Sequence, residues 1–545
     1  MSAFSLLNPL LVEALAKKGI DRPTRPQELM IPAVLSGKNV LLIAPTGIGK
    51  TEAAVLPLLN RILKEKKPGV RLLYVTPLRA LNRDMMERLA WFGERLGISI
   101  AVRHGDTTQR ERARQVRNVP DILITTPETL QIMFQGKLLR RMLENVEWLV
   151  VDEIHELARD ERGAQLAVAM ERLLAVRGRE YQRIGLSATV GSPSLIAQYL
   201  GSGRDVSVLN VVETKSFHIQ VEAPEDEDGD EQLQELFELN EELTRAIRHC
   251  KDVVDGATST LFFVNTRDTA ELIGSRYAIW DKTEGFGVHH GSLSKEVRIF
   301  MEDRFKSAEL KCLICTSSLE LGIDVGQTDL SLQFNSPREV TRLIQRVGRA
   351  GHQVGETSKG KIVTWNPDDI MESAVCARMA MAGELEEQRI RNNPLNVLAN
   401  QVISIVVEYT EAAPEHIYKL VKQSFPFRSL KREDFDSVVK ALVELRQVYE
   451  VDGLLKKTRR GREYFYDNIS MIPDQRSYRI VDVGSRHIIG TLDEGFVAGL
   501  ADGYSAFITR GTTWRVVDIQ DEEVLVEQAQ ELGALPSWVG EEIPI

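Results

Sequence analysis

Residues 39–51 read Asn-Val-Leu-Leu-Ile-Ala-Pro-Thr-Gly-Ile-Gly-Lys-Thr, an apolar run that breaks at two glycines and ends on Lys-Thr before a helical pattern. That order leaves the chain few folds. A buried strand must deliver a glycine-rich turn to a helix N-terminus, where backbone N–H groups face an anion. In the 44–51 loop, Thr46, Gly47 and Gly49 would wrap the β-phosphate of a nucleotide. Lys50 would supply positive charge to the β- and γ-phosphates, and the Thr51 hydroxyl would ligate Mg²⁺. A second apolar strand ends on Val150-Val151-Asp152-Glu153-Ile154-His155. Asp152 is expected to hold Mg²⁺ through water, and Glu153 to take a proton from the water attacking the γ-phosphate. Loop and acid pair together predict a nucleoside triphosphatase that uses Mg²⁺.

Around these motifs, β-rich runs alternate with helical patterns. The runs at 39–44, 71–76, 122–125, 148–152 and 183–189 are almost continuously apolar, as strands covered on both faces of a parallel sheet must be. An acidic segment at 223–231 is expected to be a solvated loop. The alternation then resumes at 261–265, 287–290, 311–316, 330–334 and 361–365. From about 390 the pattern is helical and closes on a hairpin signal at Asp452-Gly453, compatible with a small winged-helix module. After about 476, five short alternating runs suggest a small antiparallel sheet or barrel. The expected fold class is α/β, with domains at 1–205, 206–388, 389–475 and 476–545. A length of 545 residues suits three or four domains at about 150 residues each.

The net charge of −11 argues against a surface that binds polyanions everywhere, but it leaves room for a locally basic channel. No apolar run approaches the roughly 18 residues of a membrane-spanning helix. The first residues lack a basic segment followed by an apolar one. A cytoplasmic protein with no membrane partner is expected. Four cysteines cannot make a disulfide framework. The pair Cys312 and Cys315 lies in an apolar strand pattern with no second Cys or His pair nearby, and reads as two core thiols.

Further boxes occur in order: Pro26-Gln27, the 44–51 loop, Thr76-Pro77-Leu78-Arg79-Ala80-Leu81, Thr126-Pro127-Glu128, Asp152-Glu153-Ile154-His155 and Ser187-Ala188-Thr189. They continue with Asn265-Thr266-Arg267, His290-Gly291-Ser292, residues 317–324 and Gln345-Arg346-Val347-Gly348-Arg349-Ala350-Gly351-His352. The set resembles a superfamily 2 helicase. Within that superfamily, Thr-Ser-Ser-Leu-Glu-Leu-Gly-Ile-Asp at 316–324, Asn-Pro-Leu-Asn-Val-Leu-Ala-Asn-Gln at 393–401 and Phe-Pro-Phe-Arg-Ser-Leu at 425–430 resemble the Lhr (large helicase-related) family.

The resemblance implies two tandem RecA-like domains, then a winged helix and a β-rich domain that is incomplete here. It implies that Gln27 contacts adenine, that Arg346 and Arg349 reach the γ-phosphate from the second domain, and that Asp324 lies at the interdomain cleft. Ser187 and Thr189 would couple cleft closure to strand movement. Arg79, Thr126, Thr266, Arg267, Ser292 and Thr316 would line a groove that binds phosphates without reading bases. Trp538 could stack on an unpaired base or simply pack. The basic, aromatic stretch at 456–466 could touch nucleic acid or form a solvated wing tip. The expected activity is that of a monomeric ATP-driven motor on single-stranded DNA, or on a branched or RNA:DNA hybrid duplex. The family implies 3′-to-5′ movement and a role in DNA repair or recombination. An RNA-remodelling ATPase and a nucleic-acid clamp or annealing protein are the alternatives.

Overall fold

The computed structural model describes every residue except 1, 46, 78, 212–216, 282–284, 321–325, 327, 352–356, 472–476, 502–505, 510–511, 521–522 and 530–545; at 79–84, 87, 477, 493, 495, 498, 499 and 501 it describes the backbone only. The chain forms two compact units. The first joins Met1–Glu213 to Glu387–Asp474, and the second joins Thr214–Glu386 to Gln475–Ile545.

The first unit is built on seven strands: β1 (Asn39–Ile43), β2 (Leu72–Val75), β3 (Ile100–Arg103), β4 (Ile122–Thr125), β5 (Trp148–Val151), β6 (Gln182–Ser187) and β7 (Val206–Asn210). They pair in parallel in the order β3-β4-β2-β5-β6-β1-β7. The central strands are buried at every residue, which is why they read as unbroken apolar runs. Two strands depart from expectation. β3 is a half-exposed edge strand whose short Ile-Ala-Val-Arg text carries little apolar signal. β7 pairs with β1, so the first sheet runs beyond the boundary expected after residue 205.

The second unit repeats the design with β8 (Phe217–Glu222), β9 (Thr260–Phe263), β10 (Phe286–His289), β11 (Cys312–Cys315), β12 (Leu330–Phe334) and β13 (Ser358–Val363). All are parallel, in the order β10-β11-β9-β12-β13-β8. Cys312 and Cys315 sit in β11 as buried thiols, and burial pushes both well up from the ordinary thiol range. The acidic stretch at 223–231 follows β8 and is mostly exposed, as expected, but it is anchored at one point. Arg248 pairs with Glu227 and Asp230 at 2.7 Å each, and a helix begins at Asp230.

In the first unit, residues 387–474 add a three-stranded antiparallel sheet of β14 (Glu411–Ala412), β15 (Val448–Val451) and β16 (Leu454–Lys457). Its hairpin turns at Asp452 and Gly453, both at positive φ, as a two-residue turn between right-twisted strands requires. The helix Leu395–Tyr409 buries Val397, Leu398, Val402, Ile403, Ile405 and Val406. Its polar residues Gln401, Ser404 and Glu408 recur at helical spacing and face Arg172 of the helix Glu161–Arg177. Arg172 donates from Nη2 to Glu408 at 2.7 Å and from Nη1 to Gln131, Gln401 and Ser404 at 2.8–3.1 Å. Arg172 and Glu408 are both fully buried, so neither charge has water as an alternative partner.

The second unit ends in a five-stranded sheet of β17 (Ser477–Asp482), β18 (Ile488–Asp493), β19 (Ala506–Thr509), β20 (Thr512–Gln520) and β21 (Glu523–Gln528). Its order is β18-β17-β21-β20-β19, with one parallel pair, β17 and β21, among antiparallel ones. Ile480, Ile489, Leu492, Phe507, Trp514, Val524 and Val526 form its core.

Glu408→Ala leaves the Arg172 guanidinium buried without its carboxylate. It is expected to lower stability by about 3–5 kcal/mol in urea unfolding, whereas the double change Arg172→Met with Glu408→Leu costs less than either single change.

Candidate nucleotide and nucleic-acid site

Parallel strands present all their C-terminal ends at one edge, so loops far apart in sequence meet there. In the first unit β1 leads into the phosphate loop, where Gly47 and Gly49 both take φ +85. Only glycine takes such values without strain. A Cβ on Gly49 would also come within 3.0 Å of Gln27 Nε2. The helix Lys50–Lys64 that follows has no side-chain N-cap, so its leading N–H groups remain open to an anion.

Lys50 is 8% exposed, and among the described residues its Nζ has no hydrogen-bond partner; it forms an ion pair with Glu153 Oε1 at 3.8 Å. Glu153 is a non-glycine residue in the left-handed region, at φ 44 and ψ 43. Such strain persists only where the surroundings over-determine it, and it clusters at functional sites. Asp152 accepts from Tyr74 Oη at 2.7 Å and from the Glu153 N–H at 2.9 Å. Burial, with the neighbouring Glu153 charge, pushes the Asp152 carboxyl up to about 6, against the opposing pull of Lys50 and Tyr74. Tyr74 also lies within hydrogen-bonding reach of the Thr51 side chain. Burial raises its phenol well above the usual range, so it stays a donor. Tyr74 thus holds Asp152 and lies beside Thr51, the other Mg²⁺ candidate, a placement that nothing in the Leu-Leu-Tyr-Val strand pattern signals. Gln27 is buried, with its Oε1 accepting from the Thr24 N–H at 3.1 Å and its Nε2 beside Gly49. A buried ammonium without a hydrogen bond among the described residues, a helix start with no side-chain cap and two adjacent buried acids fit a magnesium nucleotide.

Ser187 closes β6 beside β1, and its carbonyl accepts from the Ala44 N–H at 3.1 Å. Thr189 is exposed two residues on. Thr126 and Thr266 each cap a helix, accepting from Thr129 N–H at 3.4 Å and Thr269 N–H at 3.2 Å. Their hydroxyls are engaged in the fold, so what each box offers a phosphate is the helix start. Arg79 begins the helix Arg79–Leu96. The Arg79 side chain, Thr46, Asp324 and Trp538 lie outside the described residues. The basic stretch is a helix start as well as a wing end. Lys456 and Lys457 finish β16, Arg459 opens the helix Arg459–Asp467, and Phe465 is core.

In the second unit, Arg267 Nη1 donates to Ser292 Oγ at 2.9 Å. Thr316 is buried at the end of β11. The two arginines expected to act alike differ. Arg346 is 1% exposed and spends its guanidinium on Glu320, at 2.6 Å from Nε, and on Asn265 and Gln333. Arg349 donates from Nη2 to the Glu320 carbonyl at 2.7 Å. Arg346 is thus a packing and charge node of the second unit, held by Asn265 after β9, Gln333 in β12 and Glu320 in the segment after β11.

A phosphate loop and acid pair on one parallel sheet, and a Gln-Arg-x-Gly-Arg helix on another, define a superfamily 2 helicase core. Residues 24–196 match the DEAD/DEAH box helicase family, 242–353 the helicase conserved C-terminal domain, and 378–534 the winged helix domain of the large helicase-related protein. The ATP-dependent helicase Lhr-Core of Sulfolobus acidocaldarius is 34% identical over 96% of this chain and 62% of its own length. The Lhr helicase/uracil glycosylase of Escherichia coli is 33% identical over 96% of this chain and 39% of its own. The structure of Mycobacterium smegmatis helicase Lhr bound to ssDNA and AMP-PNP superposes with a TM-score of 0.77 at 33% identity, covering 87% of this chain and 63% of that one. The chain belongs to the Lhr family, and it spans less than two thirds of the length of these relatives. No helix among the described residues is long and apolar enough to cross a membrane.

The folded chain binds the Asp152 proton more tightly than the unfolded chain does, so this group's contribution to stability falls as pH rises from 3.8 through about 6. Asp152→Asn is expected to stabilise the nucleotide-free protein by roughly 1–3 kcal/mol above that window, with the gain vanishing below it. Thermal melts of both forms between pH 4.5 and 8 check this, as an order-of-magnitude expectation.

Proposed function

We propose that the protein is an ATP-driven motor that moves along single-stranded DNA and separates duplex or RNA:DNA hybrid strands. The observation that carries the ATPase part is the buried Lys50 ammonium, with no hydrogen bond among the described residues, 3.8 Å from strained Glu153 at the start of a helix with no side-chain cap. Lys50 would draw charge from the β- and γ-phosphates while Glu153 accepts a proton from the attacking water. Thr51 and Asp152, aligned through Tyr74, would hold Mg²⁺, which when bound neutralises phosphate charge. Gln27 would contact the adenine.

Arg349 is the proposed source of transition-state charge from the second unit, with Arg346 holding the Gln-Arg-x-Gly-Arg helix in place. Ser187 and Thr189 are proposed to couple hydrolysis to strand movement. Helix starts at Thr126 and Thr266, with Arg267, Ser292 and Thr316, would bind the strand through its phosphates, giving sequence tolerance and marked salt sensitivity. The ssDNA named for the mycobacterial relative supports DNA as the substrate. On the family resemblance we also assign 3′-to-5′ movement, a monomeric motor and a part in DNA repair or recombination. Four buried free thiols support a cytoplasmic setting.

Steady-state ATP hydrolysis without nucleic acid, with single-stranded DNA and with single-stranded RNA tests the proposal, with Glu153→Gln as the blank. DNA is expected to raise the rate. Stimulation by RNA alone would move the substrate to RNA, and no stimulation by either would sink the motor. Arg349→Ala is expected to lower kcat by about 10³-fold with an unchanged melt. Arg346→Ala is expected to lower stability by about 3–5 kcal/mol, because Glu320 is left buried and unpaired.

A further inference from the structure

Three independent contacts converge on one loop of the second unit, residues 290–294, from the five-stranded sheet near the chain's end. The first is backbone pairing. Thr491 N–H donates to the Ser292 carbonyl at 2.9 Å, Ser294 N–H donates to the Ile489 carbonyl at 3.0 Å, and Leu293 bridges Gly490 in antiparallel fashion. The loop is thereby annexed as a short extra strand beside β18. The second is a close approach that needs glycine. A Cβ at position 490 would stand 2.8 Å from the Ser292 carbonyl oxygen, a backbone atom that cannot swing aside. The third is a buried polar chain. Glu271 Oε1, on the helix Arg267–Trp280, lies 2.7 Å from His290 Nε2 and accepts from Thr509 Oγ1 at 3.2 Å. Glu271 and His290 are fully buried and Thr509 nearly so, so each hydrogen bond constrains its partners strongly.

The loop held in this way carries Ser292, whose hydroxyl accepts from Arg267. We propose that the C-terminal sheet sets the shape of the 290–294 loop, so that Gly490, Thr491 and Thr509 are positioning residues for the phosphodiester contacts of Ser292 and Arg267. The inference rests on the motor function proposed above. It implies that strand affinity in the second unit is set in part by a domain almost 200 residues downstream of the contact itself, since Thr491 lies 199 positions from Ser292.

The test uses the full chain and a fluorescent oligodeoxythymidine, reading binding anisotropy, ATP hydrolysis with and without the strand, and thermal melting. Gly490→Ala pushes directly on the Ser292 carbonyl, and Thr509→Val removes one hydroxyl at nearly constant volume. Both are expected to raise the half-saturating oligodeoxythymidine concentration about tenfold, with hydrolysis in the absence of DNA unchanged. Val517→Thr, on an exposed position of the same sheet, is expected to keep the parent affinity. Parent affinity in both Gly490→Ala and Thr509→Val overturns the positioning role alone. A parent protein that the oligonucleotide neither binds nor stimulates overturns the motor function itself. If Gly490→Ala melts early, Thr509→Val, which leaves every backbone contact intact, decides.

Discussion

A positive and a negative charge, buried 3.8 Å apart at the phosphate loop, organise the nucleotide site of the first unit. Lys50 opens the helix after β1 and Glu153 follows β5, and their 3.8 Å separation is an ion pair too long for a hydrogen bond. Removing such groups from water is costly unless a ligand completes them. The glycines at 47 and 49, the left-handed backbone of Glu153 and the Tyr74 bridge to Asp152 all hold the pair in that incomplete state. Because every strand of the sheet is parallel, the same edge also receives the box after β4 and the coupling box after β6.

Much of this was legible in the sequence, for a local reason. A phosphate loop and a strand-end acid pair each need particular residue types at consecutive positions, so a few residues suffice to show them. The central strands were legible because both faces are covered. Edge strands were not: β3 is half exposed, and β7 follows the last helix of the first sheet and looked like the start of the second. What stayed hidden depends on partners distant in the chain. Arg346 looked like a second copy of Arg349 until Glu320, Asn265 and Gln333 were seen to occupy it. The Thr126 and Thr266 hydroxyls turn out to serve as helix caps. The link from Glu271 to Thr509 spans 238 positions and leaves no periodic trace.

The two units handle buried charge in contrasting ways. In the interface between the helices Glu161–Arg177 and Leu395–Tyr409, Arg172 is saturated by Glu408 and three neutral acceptors, which makes a fixed joint. The segment Glu387–Asp474 is therefore packed into the first unit. At the nucleotide loop the Lys50 ammonium has no hydrogen bond among the described residues, and in the second unit Arg346 is saturated by Glu320, Asn265 and Gln333.

That joint also bears on how the polypeptide is made. Glu408 follows Arg172 by 236 positions, and the whole of residues 214–386 lies between the two parts of the first unit. At about 5–20 residues per second, a guanidinium shaped for a dry interface waits roughly 10–50 seconds in water for its carboxylate. Vectorial synthesis thus finishes the α/β portion of the second unit before the unit that begins the chain can close. The contact order of the joint makes its formation a late event, with the apolar face of Leu395–Tyr409 as the surface that must find its place last.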